Sequence, residues 1–256
     1  LVVGADGSLW AGTLSGGLTR RDKDGNWQSY STASTRGSLP DDRVSALALG
    51  ADGSLWAGTL GGGLARRDKD GHWQSYSTAS TQGGLPDDRV SALALGADGS
   101  LWAGTLGGLA RRDKDGNWRS YSKASTQGGL PSDEVVALAV GTDGSLWVSV
   151  LDNARLARCD KEGNWQSFSK EDGLPDNLVM VLALGADGSP WAGTDGGGLA
   201  WRDKDGRWQS YSTASTQGGL PDNNVQALAI GADGSLWAGT RGGPGAARQG
   251  RPVVER

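Results

Sequence analysis

Six tryptophans, Trp10, Trp56, Trp102, Trp147, Trp191 and Trp237, recur at intervals of 46, 46, 45, 44 and 46 residues, each inside an Asp-Gly-Ser-x-Trp segment. A second series, Trp27, Trp73, Trp118, Trp165 and Trp208, follows the first by 16 to 18 residues. A period of this length marks a solenoid, a propeller or another array whose unit cannot bury its apolar surface alone. What one unit contains therefore decides the fold.

In the unit 43–86 the run Val44 to Leu49 predicts a short apolar strand, and Asp52-Gly53 a tight hairpin turn. Leu55 to Thr59 predicts a second strand, Gly61 to Gly63 a turn, and Leu64 to Arg67 a third strand. Asp70-Gly71 predicts another hairpin, and Trp73 to Ser77 a fourth strand before a longer Gly-Gly-Leu-Pro-Asp-Asp connection. Glycine recurs too often for a helical period of 3.6 to survive. Four short antiparallel strands per unit are the blade of a β-propeller, in which blades pack face to face. Strict alternation in the first strand would put Val44, Ala46 and Ala48 on one face and Ser45, Leu47 and Leu49 on the other, both buried.

Composition agrees and narrows the function. The 44 glycines show no Gly-X-Y period, which excludes collagen, and they alternate with Trp, Leu and Ala, unlike a disordered chain. A net charge of −4 with no long basic cluster gives no field to concentrate nucleic acid, so none is expected as a partner. Cys159 is the single cysteine, which rules out an intramolecular disulfide, and it stands where other repeats carry Arg. No apolar run is long enough to span a bilayer, so no membrane contact is expected of this segment.

The combination D-G-S-L-W-A-G-T-x-x-G-G-L with G-L-P-x-x-x-V, at Asp52 to Leu64 and Gly84 to Val90, resembles the two-component regulator propeller repeat. WD-repeat and sialidase-type patterns fit less well: no Trp-Asp closes a blade, and no residue separates Asp from Gly. The resemblance implies the sensor region of a bacterial hybrid histidine kinase or related signalling protein, in a periplasmic or other extracytoplasmic location. It also implies that the first strand is innermost. The Asp-Gly-Ser and Asp-Lys-Asp-Gly turns then share one rim, and the Gly-Gly-Gly and Gly-Leu-Pro-Asp-Asp connections the other.

Six blade positions are expected, at about 1–40, 43–86, 89–131, 134–175, 178–221 and 224–242, with the first and last incomplete. The residues 243–256 depart from the repeat. Back-translated with free synonymous choice and read one base out of register, they can spell GLARRDKDGRWWS, which differs from Gly63 to Ser75 at two of 13 places. The sequence therefore predicts a frameshifted tail and leaves the last blade's second strand as an unpaired edge.

Catalytic chemistry finds little support. The Asp22-Lys23-Asp24-Gly25-Asn26 turn and its copies lack the sixth-position Gly and twelfth-position Glu of a calcium loop and read as hairpins; no metal is expected. The only histidine, His72, sits where other units carry Asn26, Asn117, Asn164 and Arg207. Carboxylate pairs such as Asp41-Asp42 and Asp87-Asp88 recur as loop caps would, so no catalytic residue and no cofactor is assigned. The tryptophans read as interblade core, while Trp201 replaces the Arg of Arg66 and Arg111.

Differences among near-identical copies are the local clue to binding. At the start of the first strand the copies read Arg43, Arg89, Glu134, Leu178 and Asn224; between second and third strands stand Asp152, Asn153 and Arg155, then Asp195 and Arg241. Arg43, Arg89, Glu134, Asp152, Asn153, Arg155, Asp195, Asn224 and Arg241 form the candidate site on one rim, for a small-molecule or oligosaccharide ligand; drift after duplication would leave the same pattern. The expected function is a non-catalytic sensor propeller whose signalling output domain lies outside this sequence. A freestanding protein- or glycan-binding scaffold and a glycan lyase or hydrolase are the alternatives.

Overall fold

The computed structural model describes residues 1–151, 155–176, 178–231, 233–248 and 251–252, which are β-sheet, turns and connections apart from a 3₁₀ turn at Lys170–Asp172. Six four-stranded antiparallel sheets follow one another along the chain, each with its strands in sequence order. These are the blades of a β-propeller. In blade 2 the strands are Val44–Leu49, Leu55–Thr59, Leu64–Arg67 and Trp73–Tyr76.

Contacts divide the chain into two compact units, 1–126 with 133–135 and 127–132 with 136–256. In the first unit, Trp10, Leu18, Tyr30 and Leu39 of blade 1 pack on Val44, Leu55, Ala57 and Ala65 of blade 2, with Leu47, Leu49 and Trp73 at the margin. The pattern repeats one blade on, where Ala48, Trp56, Leu64, Tyr76 and Leu85 meet Val90, Leu101, Ala103 and Ala110. In the second unit, Trp147, Leu156 and Phe168 meet Val179, Leu182 and Ala192, and Trp191, Leu199 and Leu220 meet Val225, Leu236 and Ala238. A Leu such as Leu64, fully buried, contributes roughly 1.5–3 kcal/mol.

Two glycines show why the repeat is fixed. A Cβ on Gly58 would lie 2.6 Å from Cγ1 of Val90, so the residue is small to let the next blade approach. Gly63 has φ +83°, and a Cβ there would lie 2.2 Å from the Tyr76 carbonyl oxygen.

The first strand corrects the expected alternation. A bulge separates Val44, paired with Thr59, from Ala46, paired with Gly58. Val44 thereby joins Leu47 and Leu49 against blade 1, while Ala48 packs towards blade 3. The extra residue, Ser45, donates its hydroxyl to the carbonyls of Gly58 and Val90 and ties blade 2 to blade 3. Ser91 does the same with Gly104 and Val135. Blade 4 carries Val136 in that place, and Ser149, standing where blade 2 has Gly58, donates to Val179 instead. In blades 2, 4 and 5 the strand buried throughout is the second, Leu55–Thr59, Leu146–Val150 and Pro190–Thr194, and not the first. The second strand has a neighbour along each edge; the first has one edge free.

The last blade corrects a further expectation. Gly243–Arg248 pairs with Leu236–Thr240, and Arg251–Pro252 pairs with Gly243–Arg248, so the second strand is not an edge. Ladder bonds use backbone groups, which the divergent tail still supplies. The register of Trp237 with Ala246 repeats that of Trp56 with Arg66. In blade 1 the first strand is the two-residue Val2–Val3, paired with Leu9 and Trp10.

Candidate functional site

The two rims form as expected. Gly53 of the Asp-Gly-Ser turn lies beside Lys69 of the Asp-Lys-Asp-Gly turn, and Gly61 and Gly62 lie beside Arg43, Asp41 and Pro40. On the second rim several of the predicted binding groups are already held by neighbouring side chains. The Arg43 guanidinium donates to Asp41 at 2.7 Å, and Asp41 also accepts the Arg43 backbone N–H. Arg89 repeats this with Asp87 at 2.9 Å and feels the charge of Glu134. Both arginines hold their aspartates below the usual carboxylate range. In the second unit Asn224 donates its amide to Asp195, the two residues form an isolated bridge, and the Arg241 N–H binds the Asn224 carbonyl. Arg155 is exposed, its carbonyl accepting from Val150, and Asp152 and Asn153 lie outside the described residues. The structure thus brings together Arg89 with Glu134, and Asp195 with Asn224 and Arg241, while Arg43 is occupied by its own turn.

The Asp-Lys-Asp-Gly turns are internally satisfied as hairpins. Asp22 accepts the N–H groups of Asp24 and Asn26 and the Asn26 amide. In blade 2 the ligand atoms of Asp68, Asp70 and His72 lie within 4.8 Å of one another, but Asp68 already accepts both backbone N–H groups and faces the His72 ring. Among the described residues, every carboxylate that departs from its ordinary ionisation departs downward, each held by hydrogen bonds, as Asp22 is by Asn26 and Asp52 by Ser54. A general acid needs the opposite shift.

The first rim carries a difference that the sequence showed only in half. In blades 1 to 4 an Arg on the third strand spans two partners. Arg20, Arg66, Arg111 and Arg158 reach Asp6, Asp52, Asp98 and Asp143 at 3.0, 3.2, 2.8 and 3.4 Å. The same guanidinium groups lie over Trp10, Trp56, Trp102 and Trp147, 5.5 to 5.8 Å from the ring centroids. In blade 5 the position is Trp201, stacked on Trp191 at 5.8 Å and 24°. Asp187 keeps the hydroxyl and N–H of Ser189 on one oxygen, and no guanidinium reaches it among the described residues. Around this pair opens a cleft of about 200 Å³, lined by Asp187, Ser189, Trp191 and Trp201 of blade 5 and by Ile230 and Leu236 of blade 6. Trp201 could be read from the sequence as a break in the repeat; that it releases Asp187 required the hairpin geometry.

The two component regulator propeller profile matches three stretches, residues 38–61, 84–107 and 219–242. No curated protein matches the chain. Among solved structures, virginiamycin B lyase from Staphylococcus aureus is similar at 19% identity and TM-score 0.77, covering 100% of this chain and 84% of the lyase. The extracellular domains of two hybrid two component systems from B. thetaiotaomicron are similar at 20% and 22% identity, with TM-scores of 0.74 and 0.72, covering 93% and 96% of this chain. This chain spans 31% and 32% of those two proteins, about a third of each. At such identities the structures establish a shared propeller fold. The stretches 38–61, 84–107 and 219–242 are thus two component regulator propeller repeats.

Proposed function

We propose that the chain is a sensing propeller of a bacterial signalling protein: it binds a ligand on a rim and performs no chemistry on it. The observation that carries this reading is the threefold repeat match, supported by the likeness to extracellular domains of hybrid two component systems. That likeness also supports a location outside the cytoplasmic membrane; among the described residues no helix is long and apolar enough to cross one. Rim groups held in fixed pairs, such as Asp195 with Asn224, fit recognition better than proton transfer. Thermal unfolding in the presence of small polar compounds, glycans and organic cations tests the reading. A ligand of the sensor raises the midpoint in proportion to the logarithm of its concentration, whereas a midpoint unmoved by every compound argues for a scaffold.

The fold of virginiamycin B lyase favours a second reading, and a histidine substitution leaves that enzyme catalytically inactive. The one histidine of this chain, His72, is on an exposed turn against Asp68. Incubation with quinupristin, followed by mass spectrometry, is expected to return it unchanged; conversion that His72→Ala abolishes would establish the lyase instead.

A further inference from the structure

Blades 1 to 4 show what the Asp-Gly-Ser carboxylate and the tryptophan ring below it hold together: a planar cation. Each Arg donates to the aspartate and spreads over the indole, so the aspartate and ring form a paired receptor for a guanidinium. In blade 5 Trp201 stands in place of the arginine and stacks on the Trp191 ring, which leaves the carboxylate without a guanidinium among the described residues and offers the Trp201 indole beside it. Asp187 remains exposed and keeps one oxygen without a partner among the described residues. The Ser189 hydroxyl, then its N–H, hold the Asp187 carboxyl below the usual range, so it is charged at neutral pH. Ile230 of blade 6, partly buried, also lines the cleft and gives it an apolar contact for an alkyl stem. The cleft lies wholly within the second unit.

We propose that the cleft between Asp187 and Trp201 binds an organic cation of the guanidinium or alkylammonium class, its charge on Asp187 and its face or methylene stem against the Trp201 indole. The ligand meets the carboxylate that an arginine of the chain meets in four other blades, and lies on the Trp201 ring that stands in that arginine's place. Free amine and guanidine compounds and the arginine side chain of a peptide share this chemistry. The assignment rests on the binding role proposed above, and gives it a ligand class.

Titration of the ¹⁵N-labelled chain with agmatine, followed through the Trp201 indole resonance, tests the site; Trp201→Phe identifies that resonance. Saturable movement with a Kd on the order of 1 mM or tighter is expected, as for a small ligand with one ion pair and one ring contact. Trp201→Arg, which restores the side chain used by blades 1 to 4 and is followed through the indole resonance of Trp191 in the same cleft, should weaken binding at least about tenfold, and Asp187→Asn about tenfold. An uncharged alkylurea of the same shape should leave the resonance still. Agmatine binding more tightly than Nα-acetyl-arginine amide points to a free small molecule, and the reverse to a peptide arginine; either supports the site. Equal binding by Trp201→Arg, an equal response to the alkylurea or to a methyl glucoside, or an unmoved resonance overturns it. The readout is local to Trp201, so such a failure leaves the sensor reading standing if another ligand raises the unfolding midpoint.

Discussion

Blade 2 and blade 5 share one scaffold and differ in one slot. In both, the second strand is buried from end to end, and a glycine at positive φ, Gly63 or Gly198, turns the chain against a tyrosine carbonyl. In blade 2 the slot above the tryptophan holds Arg66, which closes on Asp52. In blade 5 it holds Trp201, and the aspartate is released beside a cleft. The contrast teaches that one rim position can change from Arg to Trp while the buried second strand and the turn glycine of the blade stay as they are.

If the scaffold is shared, core damage should cost both blades alike. Leu64→Ala and Leu199→Ala remove leucines that are 0% and 4% exposed, and each should destabilise by about 2–5 kcal/mol in urea unfolding. A much smaller loss at Leu199 would mean that blade 5 is packed differently. Next in size, Gly63→Ala and Gly198→Ala should each cost about 1–3 kcal/mol, since both place a Cβ at a positive φ and 2.2 Å from a carbonyl oxygen.

The smallest effect separates the slots. In Asp52 the bonds from Ser54, and then the charge of Arg66, depress the folded pKa below the ordinary 3.8. A depressed carboxyl stabilises the fold above its unfolded value, and that stability is lost as pH falls through the folded value. Arg66→Ala should therefore flatten the loss of stability measured below about pH 4, and the group's exposure keeps the change small. Removing the side chain of Trp201 should leave the acid limb unchanged, because no guanidinium acts on Asp187.

Much of this was legible in the sequence. The 44- to 46-residue spacing of the tryptophans, with Asp-Gly pairs between apolar runs, yields the strands of blade 2 nearly to the residue. The bulge at Ser45 was not legible, because its cause is a hydroxyl reaching Val90 in the next blade, 45 residues away. Among the rim candidates, Arg43 and Arg89 are held by aspartates two residues before them, a turn geometry that spacing alone does not reveal. Trp201 stood out as a departure from Arg, whereas its meaning depends on Asp52 and Arg66 meeting across 14 residues of hairpin.

The most direct test is a crystal structure of the Trp201→Arg variant. A shared scaffold with one altered slot predicts an unchanged backbone, the introduced guanidinium over the Trp191 ring, and a contact to Asp187 within the 2.8 to 3.4 Å seen in blades 3 and 4. A guanidinium turned to solvent, with Asp187 still unpaired and the cleft still open, would contradict the account.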